Sequence, residues 1–562
     1  MDVDLRAVAA WIDGDPDPAD RAALAALLAQ ARSGDAVAAA ALAELFASPL
    51  AFGTAGLRGP LRPGPAGMNV AVARRAAAGL AAWLLARLGP GSGPPLVVIG
   101  YDARQGSETF ALDSARVFAG AGLRALVLPP RSPTPLLAFA VRHLSADAGV
   151  MVTASHNPAG DNGYKVYLGA RAAESPAGAG AQLVAPAGAE IETAIARAGP
   201  AAALPLADGW QPAPADLPDE YIAAAARTAT PASGAPAVVA YTPLHGVGAA
   251  ILTAVFERAG LPAPQVVAAQ EQPDPDFPTT PYPNPEELGT LDLALALGAE
   301  IDADLVIAND PDADRCAVAV GGRVLTGDEL GLLLADDVLR RSPGRVATTI
   351  VSSRALRALA AARGVDYRET LTGFKWLMRA GTDIVFAYEE ALGYAVAPGL
   401  VRDKDGITGA LAAAVLAGAE KARGRTLLDR LDDLTREIGV YRTSQLSLRL
   451  PAATPAGTIM SALRANPPTA LGPFPVAAVV DLATARPATD ALVLTLAGGG
   501  RVVARPSGTE PKIKFYLEAT APTPAGADLE LLRSTADAQL AAIRTGLGAA
   551  ISQIAGAAGR VG

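Results

Sequence analysis

Short apolar runs alternate with longer segments of helical periodicity over most of this chain. The first such stretch predicts a helix at 70–88, a strand at 96–100, a helix at 108–121 and a strand at 124–128. A short apolar run bounded by turn residues is typical of a buried strand, and strands that alternate with helices form layered α/β units. This part of the chain therefore predicts a doubly wound α/β domain.

The same alternation returns twice further along the chain. In the second pass the predicted elements are strand 237–241, helix 249–260, strand 265–268, helix 288–297 and strand 304–308. In the third pass they are helix 330–339, strand 345–350, helix 353–363, strand 384–388 and helix 409–422. Three similar passes in one chain indicate an ancient repeat of one domain.

Three segments depart from this alternation. Residues 5–46 hold helix formers broken at 13–16 (Asp-Gly-Asp-Pro), and predict an N-terminal helical extension. The residues expected to face inward there are Trp11, Leu24, Leu27 and Leu28. Residues 172–218 are rich in Pro, Ala and Gly, and predict an irregular edge or linker, while the glycine-rich segment 52–59 predicts no regular element.

The chain becomes rich in predicted strands near its C-terminal end. The predicted elements are strands 443–450, 491–496, 501–505 and 513–519 and a final helix at 528–551. We therefore expect an α/β protein with three similar mixed α/β domains and a smaller α+β C-terminal domain. The expected boundaries are 1–48 for the helical extension, 49–205, 206–325 and 326–440 for the α/β domains, and 441–562 for the last domain.

Composition and charge narrow the class of protein. The net charge of −9 argues against a nucleic-acid-binding surface, and a single cysteine, Cys316, excludes a disulfide framework and a thiolate metal cluster. The acidic N-terminus does not resemble a signal peptide, and apolar runs such as 407–419 are too short to span a bilayer. We expect a soluble cytoplasmic protein with no nucleic-acid or membrane partner.

The segment 153–158 (Thr-Ala-Ser-His-Asn-Pro) carries the first candidate chemistry. It follows an apolar run at 148–152, so Ser155 lies where a predicted strand ends in a turn. A serine hydroxyl is a poor nucleophile unless a base, a metal ion or a prior modification activates it. His156 is adjacent and Lys165 follows closely, so both are candidate catalytic residues. The alternative is a polar turn in which Ser155 caps its own backbone.

The second candidate loop, 309–315 (Asn-Asp-Pro-Asp-Ala-Asp-Arg), directly follows a predicted strand. Asp310, Asp312 and Asp314 can converge on one hard divalent cation, and would otherwise repel one another. An EF-hand would need glycine at position 315 and glutamate at position 321, and an aspartyl-nucleophile phosphatase would place Thr or Val at position 314. The sequence has Arg315, Gly321 and Asp314 at these positions, which argues against both alternatives. The remaining interpretations are a magnesium loop with an adjacent arginine, or a solvated acidic turn.

Two further loops carry polar residues after predicted strands. Glu389 and Glu390 can accept hydrogen bonds from vicinal sugar hydroxyls, or can form a solvated helix start. Segment 505–512 (Arg-Pro-Ser-Gly-Thr-Glu-Pro-Lys) can form a phosphate cradle, or a simple hairpin connection. The sequence contains no Walker-type Gly-Lys-Ser/Thr stretch, which argues against a P-loop nucleotidase.

Together these four loops resemble those of the α-D-phosphohexomutases, the phosphoglucomutase/phosphomannomutase family, over all four of its domains. Loops 153–158 and 310–315 are highly specific to that family, and the other two are moderately specific. The helical extension and segments 53–59 (Gly-Thr-Ala-Gly-Leu-Arg-Gly), 242–246 (Thr-Pro-Leu-His-Gly) and 389–394 (Glu-Glu-Ala-Leu-Gly-Tyr) resemble its phosphoglucomutase-2/phosphopentomutase-like branch.

The resemblance implies a role for each loop. Ser155 would be a phosphoserine, and one Mg²⁺ per active site would be held by its phosphate with Asp310, Asp312 and Asp314. The implied substrate-binding residues are Arg58, Arg315, Thr372, Gly373, Glu389, Ala391, Lys404, Arg505, Ser507, Gly508, Thr509 and, as a weaker candidate, Lys514. Many relatives have serine at position 391, and histidine or threonine at position 394, so the sugar preference stays open.

The implied activity is that of an isomerase which interconverts α-D-glucose 1-phosphate and glucose 6-phosphate, with glucose 1,6-bisphosphate as activator and intermediate. Mannose or pentose phosphates as substrates, and a glucose 1,6-bisphosphate synthase, are the alternatives. The general acid and base stay open among His156, Lys165 and Lys404. We expect His245 to be structural, assign no role to His143, and expect a monomer or weak homodimer.

Overall fold

The computed structural model describes most of the chain and places it in four sheets with flanking helices. The described residues are 3–52, 56–231, 236–449, 456–506, 512–524 and 526–558, without the side chains of 449, 456 and 555–558. Three mixed α/β domains precede a C-terminal domain with an antiparallel sheet, and helices form the N-terminal extension. The expected fold class is confirmed. No helix among the described residues is long and apolar enough to cross a membrane.

The N-terminal extension is a small helical unit with its own apolar core. Its helices are α1 (Leu5–Gly14), α2 (Pro18–Arg32) and α3 (Ala36–Leu45). Each begins after an aspartate whose carboxylate accepts two backbone N–H groups, which satisfies donors that a helix start leaves free. Leu24 and Leu28 are buried, and Trp11 and Leu27 pack against the same core, as predicted.

The first α/β domain surrounds a six-stranded sheet. Its elements are β1 (Leu57–Pro60), α4 (Val70–Leu88), β2 (Leu96–Tyr101), α5 (Ser107–Gly120), β3 (Arg124–Val127), α6 (Thr134–His143), β4 (Ala148–Val152), β5 (Asp161–Leu168), α7 (Ala187–Arg197) and β6 (Gln211–Pro212). The strand order is β1-β5-β4-β2-β3-β6, with β4, β2, β3 and β6 parallel and β1 and β5 antiparallel to their neighbours. Every residue of β4 and β2 is buried, as expected for parallel strands covered on both faces.

Two predictions in this domain need correction. The segment 172–218 is only partly irregular, because it contains α7 and the short strand β6 at the edge of the sheet. Helix α7 packs so closely on α4 that a Cβ atom at Gly79 would lie 2.4 Å from Cγ1 of Ile195. The glycine-rich segment 52–59 also contributes to a regular element, since Leu57–Pro60 pairs with β5 as strand β1. Residues 53–55 lie outside the described part.

The second and third α/β domains repeat this layered arrangement. The second contains α8 (Leu217–Ala226), β7 (Val239–Thr242), α9 (Ala249–Arg258), β8 (Gln265–Val266), α10 (Asp292–Glu300), β9 (Leu305–Ala308), β10 (Ala317–Val320) and β11 (Arg323–Val324), in the sheet order β11-β10-β9-β7-β8. The third contains α11 (Gly327–Arg341), β12 (Arg345–Thr349), α12 (Ala355–Arg363), β13 (Tyr367–Thr370), α13 (Phe374–Leu377), β14 (Ile384–Glu389), β15 (Gly393–Ala395), α14 (Gly406–Lys421) and α15 (Leu427–Ile438), in the order β13-β12-β14-β15. One buried apolar cluster runs through all three domains.

The last domain has a separate core beneath an antiparallel sheet. Its elements are β16 (Val440–Arg449), α16 (Ala456–Ala465), β17 (Ala470–Leu471), β18 (Phe474–Asp481), β19 (Leu492–Leu496), β20 (Arg501–Pro506), β21 (Lys512–Ala521) and α17 (Leu529–Ala558), in the order β16-β21-β20-β19-β18-β17. The domain contacts the third one through the buried Glu518, which accepts hydrogen bonds from Ser353 and Arg354.

The topology brings the polar loops together. The serine loop (153–158) leaves the carboxyl end of β4, and the aspartate loop (309–315) leaves that of β9. The glutamate loop (Glu389 and Glu390) lies at the carboxyl end of β14. In open α/β sheets, ligands bind outside the carboxyl ends of the parallel strands. Domains one, two and three therefore each contribute one such loop to a shared cleft.

Candidate active site

The serine loop turns sharply at Ser155. This residue has a left-handed backbone with φ of +55°, and it is 2 % exposed. Its N–H donates to Oγ1 of Thr153 at 2.8 Å, and its Oγ donates to Oδ2 of Asp310 at 2.6 Å. A non-glycine residue in this region stores backbone strain, which persists only where surrounding contacts fix the turn. The strained turn directs the Ser155 hydroxyl to the aspartate loop.

Arg104, which the sequence analysis missed, fixes this turn from within the first domain. It is 4 % exposed, and its N–H donates to Oδ1 of Asp102 at 3.0 Å. Its guanidinium donates to the carbonyl oxygens of Ser155, Asn157, Pro158 and Asp161. A signal for it existed, because Asp-Ala-Arg directly follows the apolar run of β2, as the other polar loops follow their strands.

Asp310, Asp312 and Asp314 form a compact group at the end of β9. All three are fully buried, and one oxygen from each lies within 4.8 Å of the others. Burial, together with the charges of the other two aspartates, raises the pKa of Asp310. Buried carboxylates at this separation repel one another strongly, so the group requires cations.

Two lysines supply part of that positive charge. Lys165, on β5, places Nζ 2.6 Å from Oδ2 of Asp312 and 2.8 Å from Oδ2 of Asp314. Lys404 places Nζ 2.8 Å from the same oxygen of Asp314. Burial acts to raise the pKa of Asp312, but Lys165 and a 2.6 Å hydrogen bond from Thr134 hold it well below its usual range. The predicted Lys165 and Lys404 thus both reach the aspartates.

The remaining carboxylate oxygens match a divalent cation. Oδ1 of Asp312 and Oδ1 of Asp314 are buried, and neither accepts a hydrogen bond from any described residue. A buried polar atom without a partner is costly, and carboxylate oxygens are the ligands that hard divalent cations take. The three aspartates therefore fit a metal ion, which would lie next to the Ser155 hydroxyl.

Two arginines border the same loops. Arg315 donates from Nη1 to Oε2 of Glu286 at 3.2 Å, and its Nε lies 4.0 Å from Oδ2 of Asp310. Arg58, on β1, donates from Nη1 to Oδ1 of Asn157 at 3.5 Å. The Nε atoms of both arginines are buried and find no hydrogen-bond partner among the described residues. These unused donors suit the oxygens of a phosphoryl group.

His156 contacts the serine hydroxyl directly. Its Nδ1 lies 3.2 Å from Oγ of Ser155. Burial and the positive charges of Arg315 and Arg58 hold the pKa of His156 well below its usual range. The imidazole is therefore neutral at neutral pH, and in the tautomer that leaves Nδ1 unprotonated it can accept the serine proton.

The predicted sugar-binding residues lie at the third domain's edge of the cleft. Glu389 ends β14 and is 8 % exposed, and burial raises its pKa to about 7 although Lys404 and Arg315 oppose the rise. A Cβ atom at Gly393 would lie 2.8 Å from Cδ of Lys404 and 3.1 Å from Cγ of Glu389, so these two side chains flank one another. Ala391 precedes β15, and Thr372 with Gly373 precedes α13; all three are partly exposed.

The segment that is predicted to bind phosphate, 505–512, joins β20 to β21 in the last domain. Arg505 and Lys514 face each other in the antiparallel register of these strands. Burial lowers the pKa of Lys514, while the charge of Glu286 in the second domain acts in the opposite direction. Ser507, Gly508 and Thr509 lie outside the described residues.

The two other histidines have structural contacts. Nε2 of His245 lies 2.8 Å from Oγ1 of Thr279, and the backbone N–H of His245 donates to the carbonyl of Gln270 at 3.0 Å. It thus fixes the loop after β7, in keeping with the structural role expected. His143 pairs with Glu220 on α8 at 2.7 Å, away from the serine loop.

Comparison with known families covers all four domains. Residues 49–194, 219–323 and 326–437 match the alpha/beta/alpha domains I, II and III of phosphoglucomutase/phosphomannomutase, and residues 468–531 match its C-terminal domain. These matches coincide with the three layered domains and the antiparallel domain of the structure. Fold and site together define a phosphosugar mutase, an isomerase.

Individual relatives extend over nearly the whole chain. A protein named "Probable phosphomannomutase" from Haemophilus influenzae is 44% identical over 473 residues, which are 82% of this chain and 95% of its own. Human phosphopentomutase is 32% identical over 572 residues, 89% of this chain and 90% of its own. The crystal structure of a phosphoglucomutase/phosphomannomutase family protein from Burkholderia thailandensis has a TM-score of 0.67 at 22% identity, over 90% of this chain and 97% of that one. The chain belongs to the phosphoglucomutase/phosphomannomutase family.

Proposed function

We propose that the protein is a magnesium-dependent phosphoglucomutase, which interconverts α-D-glucose 1-phosphate and glucose 6-phosphate through a phosphoserine at Ser155 and a glucose 1,6-bisphosphate intermediate. The observation that carries this proposal is the 2.6 Å contact between Oγ of Ser155 and Asp310. It joins a hydroxyl on a strained turn of the first domain to the metal site of the second. A phosphate on Ser155 would therefore lie at a cation.

The metal site would hold one Mg²⁺, with Asp310, Asp312 and Asp314 as carboxylate ligands beside the phosphate of Ser155. When bound, the ion supplies a Lewis acid that stabilises negative charge on the phosphoryl oxygens. The protein adds the guanidinium groups of Arg58 and Arg315, whose buried Nε donors are unused among the described residues. Groups that are fixed in advance around developing charge contribute most to phosphoryl transfer.

In the forward step a sugar hydroxyl attacks the phosphorus atom and loses its proton, the bond from phosphorus to Oγ of Ser155 breaks, Oγ takes up a proton, and a sugar bisphosphate forms. In the return step Oγ attacks the other phosphate and loses its proton, the bond from that phosphorus to the sugar oxygen breaks, and the sugar oxygen takes up a proton. His156 is placed to accept that proton, because its Nδ1 lies 3.2 Å from Oγ and its ring is neutral. The structure leaves Lys165 paired with two aspartates, which favours a binding role over proton transfer.

The bisphosphate must present either end to the serine, so the remote groups must bind both orientations. Glu389 would accept hydrogen bonds from the sugar hydroxyls, next to Lys404, Thr372, Gly373 and Ala391. The non-reacting phosphate would be bound by Arg505, Ser507, Gly508, Thr509 and Lys514. Arg505 and Lys514 are paired positions of one hairpin, which supports a shared role.

Other sugar phosphates are alternative substrates for the same mechanism. Relatives at 44% and 32% identity are named for mannose and pentose phosphates, so phosphomannomutase and phosphopentomutase activities stand beside phosphoglucomutase. Ala391 offers only a methyl group to the sugar, which leaves recognition of the ring to Glu389 and Lys404. A glucose 1,6-bisphosphate synthase would use the same serine, but would consume a separate phosphoryl donor in every turnover.

Intact-mass spectrometry before and after incubation with glucose 1,6-bisphosphate tests the serine chemistry. We expect the gain of one phosphoryl group on Ser155 and its loss on addition of glucose 1-phosphate. Ser155→Ala should abolish both events and turnover. Ser114→Ala is the matched control, because Ser114 is equally buried in the first domain but donates only to the Phe110 carbonyl. Phosphorylation of Ser155→Ala, or none of the wild-type protein, would refute the proposal.

Competition assays then identify the sugar. Glucose 1-phosphate, mannose 1-phosphate and ribose 1-phosphate are supplied together with a catalytic amount of the bisphosphate, and kcat/KM is compared. The proposal predicts the highest value for glucose 1-phosphate. A higher value for either of the others transfers the assignment to that sugar, and turnover that stops when the bisphosphate is consumed identifies a synthase.

A further inference from the structure

Four consecutive charged residues, 402–405 (Arg-Asp-Lys-Asp), lie buried just before α14. Their exposures range from 1 % for Asp403 to 8 % for Lys404. Burial of a charge is costly unless partners compensate it, so each of these side chains needs specific contacts. The nature of those contacts shows how Lys404 is held in the active site.

The partners of Asp403 come from the first domain. Oδ2 of Asp403 accepts a 2.6 Å hydrogen bond from the hydroxyl of Tyr167 and a 2.7 Å hydrogen bond from Nε2 of Gln182. Oδ1 accepts the backbone N–H of Lys404 at 2.8 Å. Both partners of Oδ2 are buried, and Tyr167 and Gln182 are themselves paired across an isolated antiparallel bridge. Asp403 is therefore fixed from two sides.

Strand β5 connects this contact with the metal site. Lys165 and Tyr167 are two residues apart on β5, so their side chains leave the same face of the sheet. Lys165 reaches Oδ2 of Asp314 at 2.8 Å, and Lys404 reaches the same oxygen at 2.8 Å from the third domain. One face of β5 thus holds the aspartate loop through Lys165 and the 402–405 loop through Tyr167.

We propose that Tyr167 and Gln182 are positioning residues for Lys404: through Asp403 they fix its ammonium group at Asp314, beside Glu389. This inference rests on the proposed function, because it places Lys404 at the sugar phosphate. Displacement of the ammonium group weakens stabilisation of the transition state more than it weakens binding of the non-reacting phosphate, which the last domain binds. Misplacement of a positioned group lowers the rate of the chemical step.

The test compares Tyr167→Phe with Tyr164→Phe in the full-length protein. Tyr164 is equally buried on β5, but it lies on the opposite face, in the apolar core of the first domain. For Tyr167→Phe we expect kcat to fall about tenfold with KM changed less than about twofold. For Tyr164→Phe we expect neither constant to change by more than about twofold. A purely structural role of Tyr167 would lower the Tm of Tyr167→Phe and leave the kcat of the folded protein unchanged.

A double-mutant cycle with Lys404→Gln tests whether Tyr167 acts through Lys404. Residues that act through one another are non-additive, whereas independent ones add. We expect Tyr167→Phe to have no further effect in the Lys404→Gln protein. Single-turnover transfer from phosphorylated Ser155 supplies the rates, because it remains measurable when steady-state turnover is slow. Should Tyr167→Phe fail to fold, Gln182→Leu removes the second donor to Asp403 and replaces it in the cycle.

The outcomes separate this inference from the proposed function. Additive effects in the cycle, or equal kcat for Tyr167→Phe and wild type, would overturn the positioning role while wild-type turnover still supports the mutase. A wild-type protein that neither phosphorylates Ser155 nor turns over any sugar phosphate would overturn the proposed function itself, and the positioning role with it.

Discussion

Replacement of Lys165 by methionine tests whether the three aspartates are built to hold a cation. Lys165 is 1 % exposed, and its ammonium group contacts Asp312 at 2.6 Å and Asp314 at 2.8 Å. Methionine is an unbranched side chain that fills irregular core space well. Lys165→Met therefore keeps much of the packing of β5 and removes one positive charge from the metal site.

The magnitude follows from the charges that remain. Removal of one partner of a buried ion pair costs about 3–5 kcal/mol, because it leaves an uncompensated buried charge. Lys404 still contacts Asp314, so we expect a loss near the lower end, about 3 kcal/mol, without divalent cations. A ligand that binds only the folded state at 100 times its Kd adds about 2.7 kcal/mol of stability. Mg²⁺ should therefore restore most of the loss.

Thermal unfolding in EDTA and at increasing Mg²⁺ concentration measures this effect. A multidomain chain does not unfold in one step, so the compared quantity is the Tm of the transition that includes the first two domains. Lys421→Met is the matched control. It removes a 2.6 Å pair with Asp304 whose side chains are 37% and 26% exposed, and such surface pairs contribute only about 0–1 kcal/mol.

Two results would refute the reasoning. If Lys165→Met has the Tm of the wild type in EDTA, the aspartates do not depend on the lysine for charge compensation. If Mg²⁺ raises the Tm of Lys165→Met and Lys421→Met equally, the ammonium group of Lys165 does not compete with the cation for the aspartates. The expected result is a larger Mg²⁺-induced rise for Lys165→Met than for wild type, because the ammonium group no longer competes for the carboxylate oxygens.

Two pH-dependent effects follow from buried carboxyl groups. Burial raises the pKa of Glu389 to about 7, and the proposed sugar-binding form of Glu389 is the ionised one, so kcat/KM should rise with pH through about 7. Glu389→Gln should lose this rise and keep the pH dependence that comes from the substrate phosphate. An unchanged pH profile in Glu389→Gln would contradict the role of Glu389 in sugar binding. Burial also raises the pKa of Asp328 from 3.8 to about 6, so the folded state binds this proton more tightly than the unfolded state. The resulting contribution, about 3 kcal/mol, is complete below about pH 4 and lost as pH rises through 6. In urea unfolding, the free energy of unfolding of Asp328→Asn should depend less on pH in that window than that of wild type. An equal pH dependence in both proteins would rule out the contribution of Asp328.

The sequence was sufficient to locate the loops that carry chemistry. The apolar run at 148–152 is strand β4, so the position of Ser155 at its carboxyl end followed directly. The aspartate and glutamate loops likewise follow β9 and β14. Each of these strands belongs to a different sheet. Because ligands bind outside the carboxyl ends of strands in open α/β sheets, each loop could be placed at the ligand-binding end of its own domain.

The contacts that hold those loops could not be predicted in this way. Asp403 meets Tyr167 across 236 residues of sequence, and no periodic pattern encodes such a pair. Helix α7 was missed for another reason. Its amphipathic stretch, with Ile191 and Ile195 on one face, is only 11 residues long and follows a run of Pro, Ala and Gly residues that is typical of irregular structure.

Buried carboxylates and cations face one another around Ser155. The carboxylates are those of Asp310, Asp312, Asp314 and Glu389, and the cations are those of Arg58, Lys165, Arg315 and Lys404. A phosphate on serine adds a charge of about −2, and Mg²⁺ adds the opposite charge. Because a net charge in a buried site is costly and the two added charges have opposite signs, each addition favours the other.

These opposite charges predict that phosphorylation of Ser155 and binding of Mg²⁺ are coupled. Coupling between two such events is typically about 5–150-fold in affinity and acts equally in both directions. We therefore expect titration calorimetry to show Mg²⁺ binding at least about fivefold tighter in the phosphorylated protein than in the dephosphorylated one. Ser155→Ala should match the dephosphorylated protein. Equal affinities in all three would mean that the cation site is complete without the phosphate, and that the aspartates alone set its strength.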